Sequence, residues 1–325
     1  MEKQSLLDTI DPEIVDRLVE RNEDIENGSP ARPGIVAALG LASIPIALAA
    51  LSKDVYGQTG LPTAIKNVLD FALALEIFEN EFYKAVLGIS AVAGQNAAFA
   101  PVRALAAAVP GAVNTLQQIQ KHETAHVATL LATGATNVFN LDGTSFDFTG
   151  NRSATGGGPF AKATTDLPFL LEVAQGAEDT GVRAYKGQAA NLMSSSAILE
   201  AALRIHSVEA RHASRIRRMR RAAAGASDTV RYSGTVRGGG AAAAGATDLG
   251  PSAAAVSAAF DLIYGAGANS STAPSEANTM QGGVDVTTLA GAQFGTNAAQ
   301  EAFDEPLDRA DVVKIVQPFF IPTIS

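Results

Sequence analysis

The sequence has no cysteine and no tryptophan, and only four of its 325 residues are histidine. Without a thiol there is no disulfide, no zinc–thiolate site, no iron–sulfur cluster and no cysteine nucleophile. Any metal must then be held by carboxylate and imidazole, a donor set that suits iron, manganese or zinc. Charged residues make up 18% of the chain, and the balance is acidic, with a net charge of −9 and a pI near 5.0. That argues against nucleic acid as a partner, because such binding rests on clustered positive charge. The one dense basic run, Arg215-Ile-Arg-Arg-Met-Arg-Arg221, falls at a helix end, where such side chains complement the dipole and hydrogen-bond the last carbonyls.

Long apolar runs are also scarce. The exception is Gly34 to Leu51, GIVAALGLASIPIALAAL, uncharged over 18 residues. A helix of that length nearly spans a bilayer core, so a buried helix, an export signal and a membrane anchor all stay open for it. An export signal has a basic start, whereas residues 1–33 hold nine acids against Lys3, Arg17, Arg21 and Arg32. Asp11-Pro12-Glu13 is a good helix start, and Ile14, Val15, Leu18 and Val19 give the helix one apolar face. Residues 1–60 therefore read as an N-terminal extension.

What the chain does have is helical periodicity. The pattern predicts a first long helix from Thr63 to about Gly94. A second runs from Pro101 to Gly134, broken at Pro110 and capped by Gly134. A long connection follows, in which Asp142-Gly143 and the alternating SFDFT of residues 145–149 predict a small hairpin. Leu167-Pro168 opens a third helix to about Leu192, and Ser196 to about Ala224 forms a fourth. The fold class is all-α: a four-helix bundle over 61–224 with a long crossover between helices 2 and 3. Residues 225–325 read as an Ala/Gly-rich, loop-heavy C-terminal extension that packs back on the bundle. A Val312, Val313, Val316 face and Phe319-Phe320 serve as its anchor.

All four histidines lie in two short stretches, HETAH at 122–126 and HSVEARH at 206–212. In each, a glutamate stands three residues before a histidine: Glu123 with His126, and Glu209 with His212. Residues i and i+3 share a helix face, and bundle-core metal sites use Glu-x-x-His from two helices plus one Glu from each of the others. The other two helices supply Glu76 and Glu178, each followed seven residues later by a tyrosine, Tyr83 and Tyr185. The flanks are apolar, so four carboxylates there would be costly unless neutralised. Two divalent ions cancel that charge, which predicts a dinuclear carboxylate site. Glu79 is a lesser candidate, as a substitute ligand or a neighbour of the site. Glu81 reads as solvent-facing, His122 and His206 as satisfied or exposed histidines or as neighbours of the site, and Asp179 as a surface or interhelix hydrogen-bonding residue.

These residues resemble the ferritin-like superfamily. LDFALALEIFENEFY, EDTGVRAYKGQAA, EARHASRIRRM and AFDEPL resemble its branch of ferritin-like domain proteins related to desiccation-associated proteins. The resemblance implies that Glu76 and Glu178 are terminal ligands, that Glu123 and Glu209 bridge two ions, and that His126 and His212 bind one ion each. Tyr83 and Tyr185 would be hydrogen-bond donors or redox neighbours of the ligands. The expected cofactor is two Fe ions, with two Mn ions as the alternative, and the expected reactions are Fe(II) oxidation or turnover of dioxygen or peroxide in stress protection. The competing expectation is a structural or protective envelope or assembly protein with a stabilising metal. A homo-oligomer, an envelope assembly and membrane contact through 34–51 are expected partners. The compartment stays open between cell envelope and cytoplasm.

Overall fold

The computed structural model describes residues 60–153, 156–223, 253–264, 276, 278–289, 299 and 302–324. The expectations for the N-terminal helix, the apolar stretch 34–51 and most of the Ala/Gly-rich segment lie outside these residues. Helix α1 spans Thr63–Leu87, the short α2 and α3 span Ala93–Ala98 and Ala100–Ala107, and α4 spans Ala112–Thr133. After the crossover come α5, Leu167–Gln188, and α6, Ser196–Ala223. Further on lie α7, Ala253–Tyr264, a two-residue antiparallel ribbon of Met280–Gln281 with Val284–Asp285, and α8, Arg309–Val316. Among the described residues no helix is long and apolar enough to cross a membrane.

The helix ends follow local chemistry. Gly88 adopts φ 78° and turns the chain out of α1, so the first helix stops short of the expected Gly94. Gly134 at φ 106° closes α4 in the same left-handed conformation. The Asp166 carboxylate accepts from the Phe169 amide at 2.9 Å, and Pro168 sits in the first turn of α5, the arrangement that starts a helix cleanly.

Helices α1 with α4 and α5 with α6 make the two most extensive helix pairs. The contacts show their directions: Glu76 meets His126 and Asn80 meets Gln120, while Asp179 meets Arg217 and Glu172 meets Arg220. Each pair is therefore an antiparallel hairpin. Residues 134–166 carry the chain from one hairpin to the other. This is an all-α helical bundle.

The expected hairpin at SFDFT is absent. Phe146 instead forms an antiparallel bridge with Phe320, and the Asp147 amide donates to Phe319 O at 2.9 Å. The alternation was a true extended segment, but its partner lies far along the sequence. Phe320 is fully buried and sits 5.5 Å from Phe78 and 5.0 Å from Phe146, ring centre to ring centre. Each such ring contributes on the order of 2–3 kcal/mol by burial. At the other side the chain passes over α5 so closely that a Cβ on Gly187 would stand 1.8 Å from Leu307 O. Arg183, itself fully buried, donates from Nε to Glu305 O at 2.8 Å, hydrogen-bonds Ile263 O and pairs with Glu276 at 3.1 Å.

The basic run of α6 behaves differently from the helix-end expectation. Arg217 binds Asp179 at 2.9 Å, Arg220 binds Glu172 at 2.8 Å, and Arg215 binds the Thr115 hydroxyl at 2.9 Å. These arginines tie α6 to α5 and α4.

Candidate metal centre

Four helices bring the six spacing-derived residues to one place in the middle of the bundle. Glu123, Glu178 and Glu209 are completely buried, Glu76 is 1% exposed, and His126 and His212 are 6% and 4% exposed. Two groups of four donors form there, Glu76–Glu123–His126–Glu209 and Glu123–Glu178–Glu209–His212. Within each group the donor atoms all lie within 4.8 Å of one another. Glu123 and Glu209 belong to both groups.

Both histidines aim Nδ1 at the carboxylates. His126 Nδ1 lies 3.1 Å from Glu76 Oε2, 3.0 Å from Glu123 Oε2 and 2.9 Å from Glu209 Oε1. His212 Nδ1 lies 2.9 Å from Glu123 Oε1 and 3.2 Å from Glu178 Oε2. The tyrosines cross over: Tyr185 donates to Glu76 Oε1 at 2.5 Å, and Tyr83 donates to Glu178 Oε1. So α1 and α5 run antiparallel, and each tyrosine holds the glutamate of the facing helix.

Electrostatics follow from burial. Desolvation pushes Glu209 well above the usual carboxylate range, aided by repulsion from Glu123 and Glu76, and raises Glu123 as well. Burial would also raise Glu76, but attraction and a hydrogen bond from His126 outweigh it and hold that carboxyl below its ordinary value. For the histidines burial disfavours charge, yet the carboxylates win. Glu76 and its neighbours push His126 well up, and Glu178 with Glu123 pushes His212 up to about 11. Burial, followed by the facing carboxylate, also raises Tyr83 and Tyr185 well above the usual phenol value, so both remain hydrogen-bond donors.

The donor set could hold metal. Glu123 Oε1, Glu178 Oε2, both Glu209 oxygens and His212 Nδ1 are buried with no well-aligned hydrogen bond; only ion-pair contacts of 2.9–3.9 Å join them. Polar atoms left that way are costly, and these converge on the two shared positions. The charge of four carboxylates equals that of two divalent cations.

The family described as the ferritin-like domain matches residues 65–222, a span that holds all six donors and all but the outermost residues of α1 to α6. This segment is a ferritin-like domain. No curated protein and no solved structure matches the chain. The buried glutamate and histidine cluster of the ferritin-like domain is compatible with a metal site.

Residues the spacing did not single out complete its surroundings. Of the two expectations for His122, the neighbour of the site is the one observed: it is half-buried, and its Nδ1 lies 2.9 Å from His212 Nε2. Burial, then the neighbouring His212 and His126, bring His122 down to about 4, so it stays neutral and holds the far nitrogen of His212. Its position, four residues before His126, was a weak signal, because the contact crosses between helices. Asp179, beside Glu178, is buried. It accepts from Arg217 at 2.9 Å and from the Tyr264 hydroxyl at 2.6 Å, locking α5 to α6 and α7 next to the site. Glu81, expected to face solvent, is largely covered (side chain 13% exposed) and pairs with Lys84 at 2.8 Å; His206 joins neither group, and its Nε2 is buried without a hydrogen bond rather than satisfied. Glu79 is buried and makes no hydrogen bond or ion pair among the described residues. Desolvation and repulsion from Glu209 and Glu178 raise it well above the usual range.

Proposed function

We propose that this chain is a dinuclear carboxylate protein that oxidises Fe(II), or reacts with dioxygen or peroxide, in stress protection. The observation that supports this is the overlap of two four-donor groups on the same two carboxylates, Glu123 and Glu209. Glu76 and His126 would complete one position, and Glu178 and His212 the other. Two iron ions suit the set, and two manganese ions are the alternative. When bound, such a pair supplies the redox chemistry that protein side chains lack.

The chain's own residues do the rest. Tyr185 and Tyr83 hold one oxygen of Glu76 and one of Glu178, which leaves the second oxygen of each facing the donors. His122 fixes the ring plane of His212. Orienting ligands from outside in this way preserves site geometry and strengthens the donor. A small apolar cavity lined by Val68, Ala72, Leu75, Tyr185, Leu192 and Ala202 abuts Tyr185.

Metal analysis of the purified protein, with an optical spectrum before and after peroxide, tests this function. Close to two irons or two manganese per chain with a spectral response is the expected result. A single unreactive zinc, or no metal, would refute it and leave a structural or protective assembly protein.

A further inference from the structure

The donors obey an approximate two-fold relation. Glu76 and Tyr83 on α1 correspond to Glu178 and Tyr185 on α5, and Glu123 and His126 on α4 correspond to Glu209 and His212 on α6. The offset that carries Glu76 to Glu178 and Tyr83 to Tyr185 carries Glu79 to Gly181. There the symmetry breaks: one helix has a carboxylate where its mate has no side chain.

The two deviations fit each other in space. A Cβ on Gly181 would stand 3.4 Å from Glu79 Oε1 and 3.4 Å from Glu209 Oε2. The Glu79 carboxylate thus lies just beyond the bare backbone at 181, at contact distance from where a Cβ would stand and beside an oxygen of a shared donor. Glu79 is only 4% exposed and has no hydrogen-bond or ion-pair partner among the described residues. Glu79 belongs to neither four-donor group, but the Glu209 oxygen on its side, Oε2, is the one that faces His212 at 3.9 Å, whereas Oε1 faces His126 at 2.9 Å, which puts Glu79 on the Glu178–His212 side.

Charge counting gives this side chain a use. Four carboxylates already match two divalent ions, so a fifth is in excess until the ions carry more charge. On the dinuclear assignment made above, we infer that Glu79 is a fifth carboxylate donor, directed to the Glu178–His212 position, that favours trivalent over divalent ions. Gly181 leaves the space beside it free of a side chain.

The test uses the full chain stripped of metal by chelation. It is titrated with Co(II), followed by its visible absorption, and with redox-inert Ga(III) delivered from nitrilotriacetate, in wild type, Glu79→Gln and Gly181→Ala. Wild type should take up two of either ion per chain. Glu79→Gln should keep two Co(II) with little change in affinity, while Ga(III) at one position weakens by about tenfold or more, because one unit of nearby negative charge is gone. Gly181→Ala, whose added methyl confines Glu79, should shift Ga(III) in the same direction. Equal weakening of both ions, or no change in either, in Glu79→Gln overturns the inference while the dinuclear assignment stands. Failure of the wild type to bind two ions overturns both.

Discussion

Metal uptake by this site should be strongly pH-dependent, and the structure sets the size of the effect. His212 is held at about 11 by Glu178 and Glu123, and His126 is also raised well above its ordinary value. At pH 7 both are therefore cations in the metal-free protein. A histidine must be neutral to bind a metal. Neutralising His212 at pH 7, about four units below its pKa, costs about 5 kcal/mol, and His126 adds a second proton. The affinity for the ions should rise by about tenfold per pH unit for each proton displaced; His212 supplies one such proton, and His126 and the raised Glu209 steepen the slope further. Chelator competition at pH 6, 7 and 8, corrected for protonation of the chelator, measures the slope. Calorimetry in buffers of different ionisation enthalpy counts the protons released. An affinity that rises by less than tenfold per unit, with fewer than one proton released, would refute the reasoning. The metal-free protein carries the opposite dependence. The folded-state pKa of His212 lies above its unfolded value of 6.5, so its stabilising contribution is complete below pH 6.5 and is lost as pH rises through 11. Metal-free thermal stability should fall over that window.

Other perturbations separate the parts of the site. Glu123→Ala combined with Glu209→Ala removes both shared donors and should abolish binding of both ions; full occupancy by elemental analysis would contradict the sharing. Tyr83→Phe with Tyr185→Phe should retain two ions but lower turnover of peroxide or dioxygen by roughly ten- to a hundredfold, and unchanged turnover would remove the tyrosines from the mechanism. Arg183→Met strands Glu276 and two backbone carbonyls in the interior. It should cost about 3–5 kcal/mol in denaturant unfolding, and a loss below about 1 kcal/mol would show that the segment after α7 is held by its aromatic rings alone.

Much of this was legible in the sequence, for a definite reason. Long helices repeat their apolar residues on a fixed period, and two donors three residues apart on one helix must share a face, so Glu123–His126 and Glu209–His212 could be paired by spacing. Glu76 and Glu178 were found through their tyrosines, although each tyrosine serves the opposite glutamate, a crossing that spacing along one helix does not encode. The contacts that escaped are those between elements distant in sequence. The Phe146–Phe320 bridge looked like half of a local hairpin because alternation gives a strand's faces but not its partner. His122 looked ordinary because its role depends on where His212 arrives from another helix. The space left at Gly181 has no signature, since an absent side chain acquires meaning only from what fills it.

The placement of the donors also bears on how the chain assembles. Each hairpin is local in sequence and its helices can form early, whereas Tyr83 with Glu178 and Tyr185 with Glu76 join residues 95 and 109 positions apart. Closing those contacts brings the Glu76 and Glu123 of one hairpin against the Glu178 and Glu209 of the other. Docking is thus the step at which like charges meet and water leaves, late and entropically costly. On the dinuclear assignment, an ion caught between the hairpins at that moment would turn repulsion into attraction, and the rate at which the two halves find each other would then rise with the metal around the newly made chain.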